Sequence, residues 1–313
     1  MSNEKVMRAF QFHVIDEPES IYPFSPVYKV KQDGKSYIVK RTQRPMARAK
    51  SVVKFIQHLK QYGVSVVTPV SLSVENPQQI DDVVWIVYPY IDGTTYTGKS
   101  QEVYEAGKLL GKIHSLSSMD NQYHLDNYDE FDFDMDEITK DVATIKQYAE
   151  TRGIPVDDEN LRDRLIGIME KQETLEKLEL PSVATPYDFK ANNLIYNDQS
   201  KPFLVDPDNA TFLPRLYDLA LTLLLFHNEL TTAPARIFDV EEWGVFKQGY
   251  FEYVRLTDIE KTYWQDIVKH VYMDEVIWMM AEFEEDWDDS NQLGLLKTLL
   301  GFLDIVHKYN LEG

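Results

Sequence analysis

The 313-residue sequence contains no cysteine. That excludes a disulfide framework, a thiolate metal site and a cysteine nucleophile, and it fits a reducing compartment. Its seven histidines show no metal-binding spacing of the His-x-x-x-His kind. Long apolar runs are also missing. The longest apolar-rich segment, LALTLLLF at 219–226, is far short of the ~20 residues that cross a bilayer. The opening MSNEKVMRAF lacks the apolar stretch of a secretory leader. A soluble, cytoplasmic protein is the expectation. Positive charge is scarce after residue 93: residues 94–313 hold 20 Lys/Arg against 43 Asp/Glu, whereas residues 1–93 hold 12 against 9. So acidic a majority repels nucleic acid and anionic membranes. If it binds a charged small molecule, a cation is favoured, although the same charge also serves solubility. Acid is missing in turn from one stretch, since no Asp or Glu falls between Lys40 and Glu75.

What is present describes a folded enzyme-sized chain. Hydrophobic residues make up 43%, with 19 Tyr, 15 Phe and 5 Trp, enough for a large core. Residues 26–42 hold two alternating runs around Asp33-Gly34, a strong hairpin signal. Val52, Val53, Ile56 and Leu59 have helical spacing, and Gly63 suits the helix end. SVVTPVSLSV (65–74) and DVVWIVYPYIDG (82–93) read as strands. From residue 100 the pattern turns helical, with segments at 100–116, 134–151, 157–179 and most of 215–312, interrupted by short strands near 194 and 204. The predicted order is α+β: a strand-rich lobe over 1–92, then a mainly helical lobe over 93–313, with the boundary at the YIDG turn.

Two polar stretches stand out against this background. TPYDFKANNLIYND (185–198) packs Asp188, Lys190, Asn192 and Asn193 into six residues, and FLVDPDNA (203–210) follows with Asp206 and Asp208. Lys40 ends the run SYIVK on the second hairpin strand. A cation, an Asp-to-Asn loop and a following carboxylate are the parts that phosphoryl transfer needs: one steadies phosphates, one takes the acceptor's proton, the others hold Mg²⁺.

Here the sequence resembles a known family. YDFKANN (187–193) resembles the protein-kinase loop His-Arg-Asp-x-Lys-x-x-Asn and its relative His-Gly-Asp-x-x-x-x-Asn in aminoglycoside phosphotransferases and choline kinases. FLVDPDNA is similar to the metal loop of the antibiotic kinases, RLYDLALTLL (215–224) to the segment C-terminal to that loop, WIVYPYIDG (85–93) to the hinge, and AGKLLGKIHSL (106–116) to the first long helix of the helical lobe. The resemblance implies a bilobal protein-kinase-like fold and an ATP- (or GTP-) and Mg²⁺-dependent transfer to a hydroxyl of a small molecule. It implies that Asp188 acts on the acceptor, that Lys190 stabilises the transferred group, that Asn193 and Asp206 bind metal with Asp208 as an accessory carboxylate, and that Lys40 and Ser25 hold phosphates. At the hinge, Pro89 would offer a carbonyl to the adenine and Ile91 an N–H; proline has no N–H and suits only the first place. Asp218 would be structural.

The pattern departs from the family at four points. Pro186 replaces the loop histidine, and the phosphate loop SIYPFSPVY (20–28) has no glycine. The first helix lacks the glutamate that pairs with the strand lysine, leaving Gln57 or Asp206 as substitutes. That helix region is basic instead, with Arg41, Arg44, Arg48, Lys50, Lys54 and Lys60. The missing acid keeps a pseudokinase open as an alternative, and Lys190 keeps open a protein Ser/Thr kinase. The acidic helical lobe points to a cationic acceptor contacted by Glu282, Glu284, Glu285, Asp286, Asp288 and Asp289. Trp278, Trp287 and Tyr272 are expected in the core, with His114 and His227 packing between helices.

Overall fold

The structure is a computed structural model that describes residues 3–13, 18–22, 25–129 and 131–311. Pro23 and Phe24 of the expected phosphate loop lie outside the described residues, as does Glu130 of DNYDEFDFDMDE (126–137), an acidic run that reads in the sequence as a solvated face or a substrate-facing segment. The chain begins with α1 (Asn3–Ala9), β1 (Val27–Gln32), β2 (Lys35–Thr42), α2 (Met46–Gln61), β3 (Gln78–Ile80) and β4 (Val83–Pro89). It continues through α3 (Ser100–Ser115), β5 (Asp126–Asn127), α4 (Met135–Thr151), α5 (Asp158–Met169), α6 (Gln172–Glu176), β6 (Ser182–Thr185), β7 (Leu194–Tyr196), β8 (Pro202–Leu204) and β9 (Thr211–Pro214). The rest is helical: α7 (Arg215–Leu225), α8 (Val240–Tyr250), α9 (Asp258–Val271), α10 (Trp278–Glu282), α11 (Ser290–Leu300) and α12 (Phe302–Ile305). Among the described residues, no helix is long and apolar enough to cross a membrane.

The first strands form an antiparallel sheet in the order β1-β2-β4-β3. The Asp33-Gly34 turn closes β1 on β2 with φ of +51° and +75°, the left-handed pair that a two-residue hairpin requires. Strand alternation splits this sheet between two cores. Val39, Trp85 and Val87 face α1, while Val84, Ile86 and Tyr88 face α2 and join the main interior, which runs on through the helical lobe. α2 buries Val52, Val53, Phe55, Ile56 and Leu59. It ends as its sequence predicts: Gly63 takes φ +74°, its N–H bonds the Lys60 carbonyl, and the Val64 N–H bonds the Leu59 carbonyl. That is the Schellman closure, with Val64 and Leu59 both buried.

One expected strand is absent. Residues 65–74 form no strand beyond a single bridge from Val66 to Leu204. Pro69 has no N–H to give a ladder; the Val70 N–H bonds the Val87 carbonyl, but the Asn76 side chain shares that carbonyl and takes the Val87 N–H, so the pairing stops at one bond. β3 supplies the edge instead, at 78–80.

In the helical lobe α3 and α8 pack backbone to backbone. A Cβ added at Gly107 would sit 2.0 Å from the Phe246 carbonyl oxygen, so no larger side chain fits that contact without a shift. Behind it His114, fully buried, bonds Tyr250 Oη (2.9 Å) and Asp218 Oδ2 (2.8 Å), and the Thr185 hydroxyl donates to the same Asp218 oxygen at 2.7 Å. Asp218 and His114 are thus structural, as expected. The β7–β8 ribbon is held from both sides, by Val66 pairing with Leu204 and Thr94 with Tyr196. This fixes the ribbon beneath the strand-rich lobe and presents its open end to β2.

Candidate active site between the two lobes

The ribbon register places the polar stretches together. Leu194 pairs with Leu204, and the Val205 N–H bonds the Asn193 carbonyl at 3.0 Å. Asn193 and Asp206 therefore leave the same end of the ribbon. The preceding loop folds tightly back on itself. Asn193 Nδ2 donates to the Asp188 carbonyl at 3.0 Å, the Lys190 N–H donates to the same oxygen at 3.0 Å, and Phe189 and Ala191 are buried as anchors. Tyr187 and Asp188 both take left-handed backbone, with φ of +50° and +51°. Such backbone is costly for side chains of this kind and persists where the surroundings over-determine it. Pro186 in the family's histidine position does not prevent the loop from closing.

Charge is concentrated around this loop. Lys190 Nζ lies 3.2 Å from Asp188 and 3.0 Å from Glu229, with its side chain 10% exposed. Burial pushes the Asp188 carboxyl up to about 6; Lys190 opposes this, while Glu229 and Asp206 reinforce it. Lys40 reaches across from β2, its Nζ 2.5 Å from Asp206 and 3.1 Å from Asp208. Gln57, the other substitute for the missing glutamate, is exposed on α2. Ser25 turns its hydroxyl to the Arg41 carbonyl at 3.5 Å, while Ser20 organises the loop by accepting from the Tyr22 and Val27 N–H groups. Pro89 ends β4 opposite Tyr37, and Ile91, half-buried, packs on the main core at the hinge.

A cavity of about 830 Å³ opens beside Asp188. Seven carboxylates line it, from Asp126, Asp188, Glu229, Asp274, Glu275, Glu285 and Asp286, against two cations, Arg44 and Lys190. Tyr22, Tyr128, Tyr187, Trp278 and Phe283 supply aromatic surface. A smaller cavity of about 500 Å³ shares Gln43 and Arg44 with it, and another of about 400 Å³ lies away from these groups.

Only part of the expected acidic contact set reaches this cavity. Glu285 and Asp286 line it, but Glu284 and Asp288 hold Arg152 (3.6 and 2.7 Å), Asp289 caps α11, and Glu282 is exposed outside it. Trp278 is a second correction: it is 52% exposed and lines the cavity, whereas Trp287 and Tyr272 are buried as expected. The cause is a π-turn at Tyr272–Ile277. Straight α-helical periodicity from Trp264 through Val271 would bury Trp278, but one extra residue in the turn rotates the downstream helix α10 by about 100°.

The same π-turn presents Asp274 and Glu275, which sequence reasoning missed. The Tyr128 hydroxyl donates to Asp274 at 2.5 Å, and the Tyr187 hydroxyl donates to Glu275. Glu275 is thereby tied to the residue preceding Asp188. The available signal was an acidic pair inside the otherwise apolar VYMDEVIWMM. Glu229 was missed as well, since it belongs to no short motif, whereas Asp126 opens the acidic run DNYDEFDFDMDE (126–137), for which both a solvated face and a substrate-facing role were open in the sequence.

Comparison with known proteins places this arrangement. No curated protein matches the chain. Among solved structures it is similar to an amicoumacin kinase in complex with AMP-PNP, Ca²⁺ and Ami (17% identity, TM-score 0.68, 99% of this chain and 95% of that one). It is similar also to a microcompartment-associated aminopropanol kinase (12%, 0.66, 99% of each) and to a choline kinase from Streptococcus pneumoniae (15%, 0.58, 97% of each). At such identities the likeness establishes the fold, and the fold is the kinase-like one that the motifs imply. The model of the APH phosphotransferase enzyme family matches residues 24–253, about three-quarters of the sequence. The chain belongs to that family of phosphotransferases.

Proposed function

We propose that this protein transfers the γ-phosphoryl group of ATP to a hydroxyl of a small, positively charged molecule bound in the acidic cavity. The observation that carries the reading is the junction of that cavity with Asp188. An acceptor held there by carboxylates and aromatic faces has its hydroxyl within reach of a half-buried carboxylate on a tightly bonded loop. Asp188 takes the hydroxyl proton as the acceptor oxygen bonds to phosphorus; the bond to the bridging oxygen breaks and ADP leaves. Lys190 offsets charge gathering on the transferred group. Lys40 and Ser25 steady the donor's phosphates, and Pro89 and Ile91 meet its base. Asn193 and Asp206 offer one amide and one carboxylate oxygen at one end of the ribbon. No cluster of three or more His, Cys, Asp or Glu side chains forms a metal cage among the described residues. A set of two hard oxygen donors suits Mg²⁺, which completes its shell from phosphate and water, and the metal when bound supplies neutralisation of phosphate charge. The structural relatives support the chemical class of the acceptor, since aminopropanol and choline are both amine-bearing alcohols.

Asp286 gives a direct test. Burial, with repulsion from Glu229, Glu285 and Asp289 against a partial offset by Lys190, pushes its carboxyl up to about 6. A bound ammonium favours the ionised form, so acceptor affinity should fall as pH drops through 6. In Asp286→Asn the acceptor KM should rise about tenfold at pH 7.5, the scale of one charge-assisted contact, with the ATP KM unchanged. Stability moves the other way. A carboxyl whose folded pKa lies above its unfolded value stabilises the fold below the unfolded value and loses that contribution as pH rises through the folded one. Asp286→Asn should therefore melt higher than wild type at pH 7.5, and the gap should close by about pH 4. An unchanged acceptor KM would remove Asp286, and the cavity wall it represents, from acceptor binding.

A further inference from the structure

The first helix carries no acid, yet the strand lysine is not left without one. We propose that Asp208 fixes Lys40 in place for the donor's phosphates, so that the loop at 206–210, rather than α2, holds the anchoring carboxylate. This rests on the phosphotransfer reading given above and assigns Asp208 a task other than the metal binding expected of it.

Three observations carry it. First, the two acids beside Lys40 differ in situation. The Asp206 side chain is 37% exposed toward the cleft, while that of Asp208 is 15% exposed and that of Lys40 13%. When Asp206 turns to a metal ion, Asp208 is the carboxylate that stays with Lys40, and a buried ammonium needs one. Second, Asp208 is held from the strand itself. Thr42 lies two residues beyond Lys40, on the same face of β2, and is buried, where its hydroxyl favours the ionised form of Asp208. Tyr88 lies on the adjoining strand β4, facing the same side as Lys40, with its buried hydroxyl unpaired among the described residues. Third, the basic residues at and near the start of α2 grip the loop that bears Asp208. Arg44 donates to Asn209 Oδ1 at 2.9 Å, and Arg48, buried, donates to the Ala210 carbonyl and pairs with Asp126 at 3.0 Å. The contact between helix, strand lysine and metal loop is thus reversed in sign, with cations on the helix side and the anion on the loop. One geometry accounts for both the missing acid and the surplus of bases, and it removes the reason to regard the chain as a pseudokinase.

The test compares Asp208→Asn, Asp208→Glu and Thr42→Val with wild type by calorimetric titration of ATP over a series of Mg²⁺ concentrations. A second readout, on nucleotide-free protein, is the rate of Lys40 acylation by an amine-directed reagent, measured by mass spectrometry. Asp208→Asn should weaken ATP binding at saturating Mg²⁺ by about 10- to 100-fold, the scale for stripping one partner from a buried charge pair, without moving the Mg²⁺ midpoint. It should also speed Lys40 acylation several-fold. Asp208→Glu should restore most of both, and Thr42→Val, which folds with the charge pair intact, should shift both a few-fold in the same direction. A moved Mg²⁺ midpoint with unchanged ATP affinity at saturation would make Asp208 a metal ligand and overturn the proposal, as would wild-type acylation in Asp208→Asn. Failure of the wild type to bind ATP would instead strike the phosphotransfer reading, and the acylation rates would still decide where Lys40 is anchored.

Discussion

Asp188→Asn is expected to lower turnover by about 10²- to 10⁴-fold, the range for losing a positioned proton acceptor, while leaving ATP affinity in the presence of Mg²⁺ within a few-fold of wild type. The loop should survive the change. Its fold depends on the Asn193 side-chain amide and the Lys190 N–H, which both donate to the Asp188 carbonyl, and on the buried Phe189 and Ala191, none of which requires the Asp188 carboxylate. Lys190 keeps Glu229 as a partner at 3.0 Å. Burial already pushes the Asp188 carboxyl up to about 6, so its replacement by a neutral isostere removes an unfavourable charge at pH 7.5. ADP release measured with and without acceptor, beside calorimetric titration of ATP, separates the two effects. If folded Asp188→Asn loses ATP binding, Asp188 belongs to the donor site and the acceptor role is wrong.

Asp206→Ala is expected to abolish the part of ATP binding that depends on Mg²⁺ and to reduce turnover by on the order of 10³-fold, as when a main source of charge stabilisation is lost. Metal-free ATP should bind at least as well as before, because a carboxylate facing the phosphates has gone and Lys40 keeps Asp208 at 3.1 Å. Titrations at zero and saturating Mg²⁺ give both numbers directly. Equal gains from Mg²⁺ in mutant and wild type would place the metal elsewhere.

The two loops were legible in the sequence because their chemistry is local. Five residues separate Asp188 from Asn193, and the strand FLV delivers Asp206 at the end of a ribbon whose register is set by its own apolar pattern. The Asp33-Gly34 hairpin and the Gly63 helix end were legible for the same reason, since turn chemistry acts over a few residues. The acidic cavity was legible only in part. Its wall draws on Asp126, Glu229, Asp274 and Asp286, which meet only after the helical lobe has packed. Net charge gave its sign and two of its members, Glu285 and Asp286, but Glu284 and Asp288 were expected there although Arg152 holds them elsewhere. The π-turn hid the rest. A period of 3.6 residues fits α9 well, and nothing in that period reports the one added residue that turns Trp278 outward and presents Asp274 and Glu275 to the cavity. Asp206 was named from the sequence as a partner of Lys40, but the pairing with Asp208 lay beyond local reading, because the carboxylate sought on α2 comes from a loop more than 160 residues away in sequence.

Passage of phosphate from ATP to a cationic alcohol beside Asp188 is the step on which the proposed function stands. It is tested most directly by supplying γ-labelled ATP and Mg²⁺ with a panel of hydroxyl compounds matched in size but carrying zero, one, two or more amines, or a carboxylate. Label should move to amine-bearing alcohols, kcat/KM should rise with positive charge and fall with added salt, and Asp188→Asn should remove the transfer. Transfer that is best to a neutral or anionic alcohol, or that persists unchanged in Asp188→Asn, would contradict it.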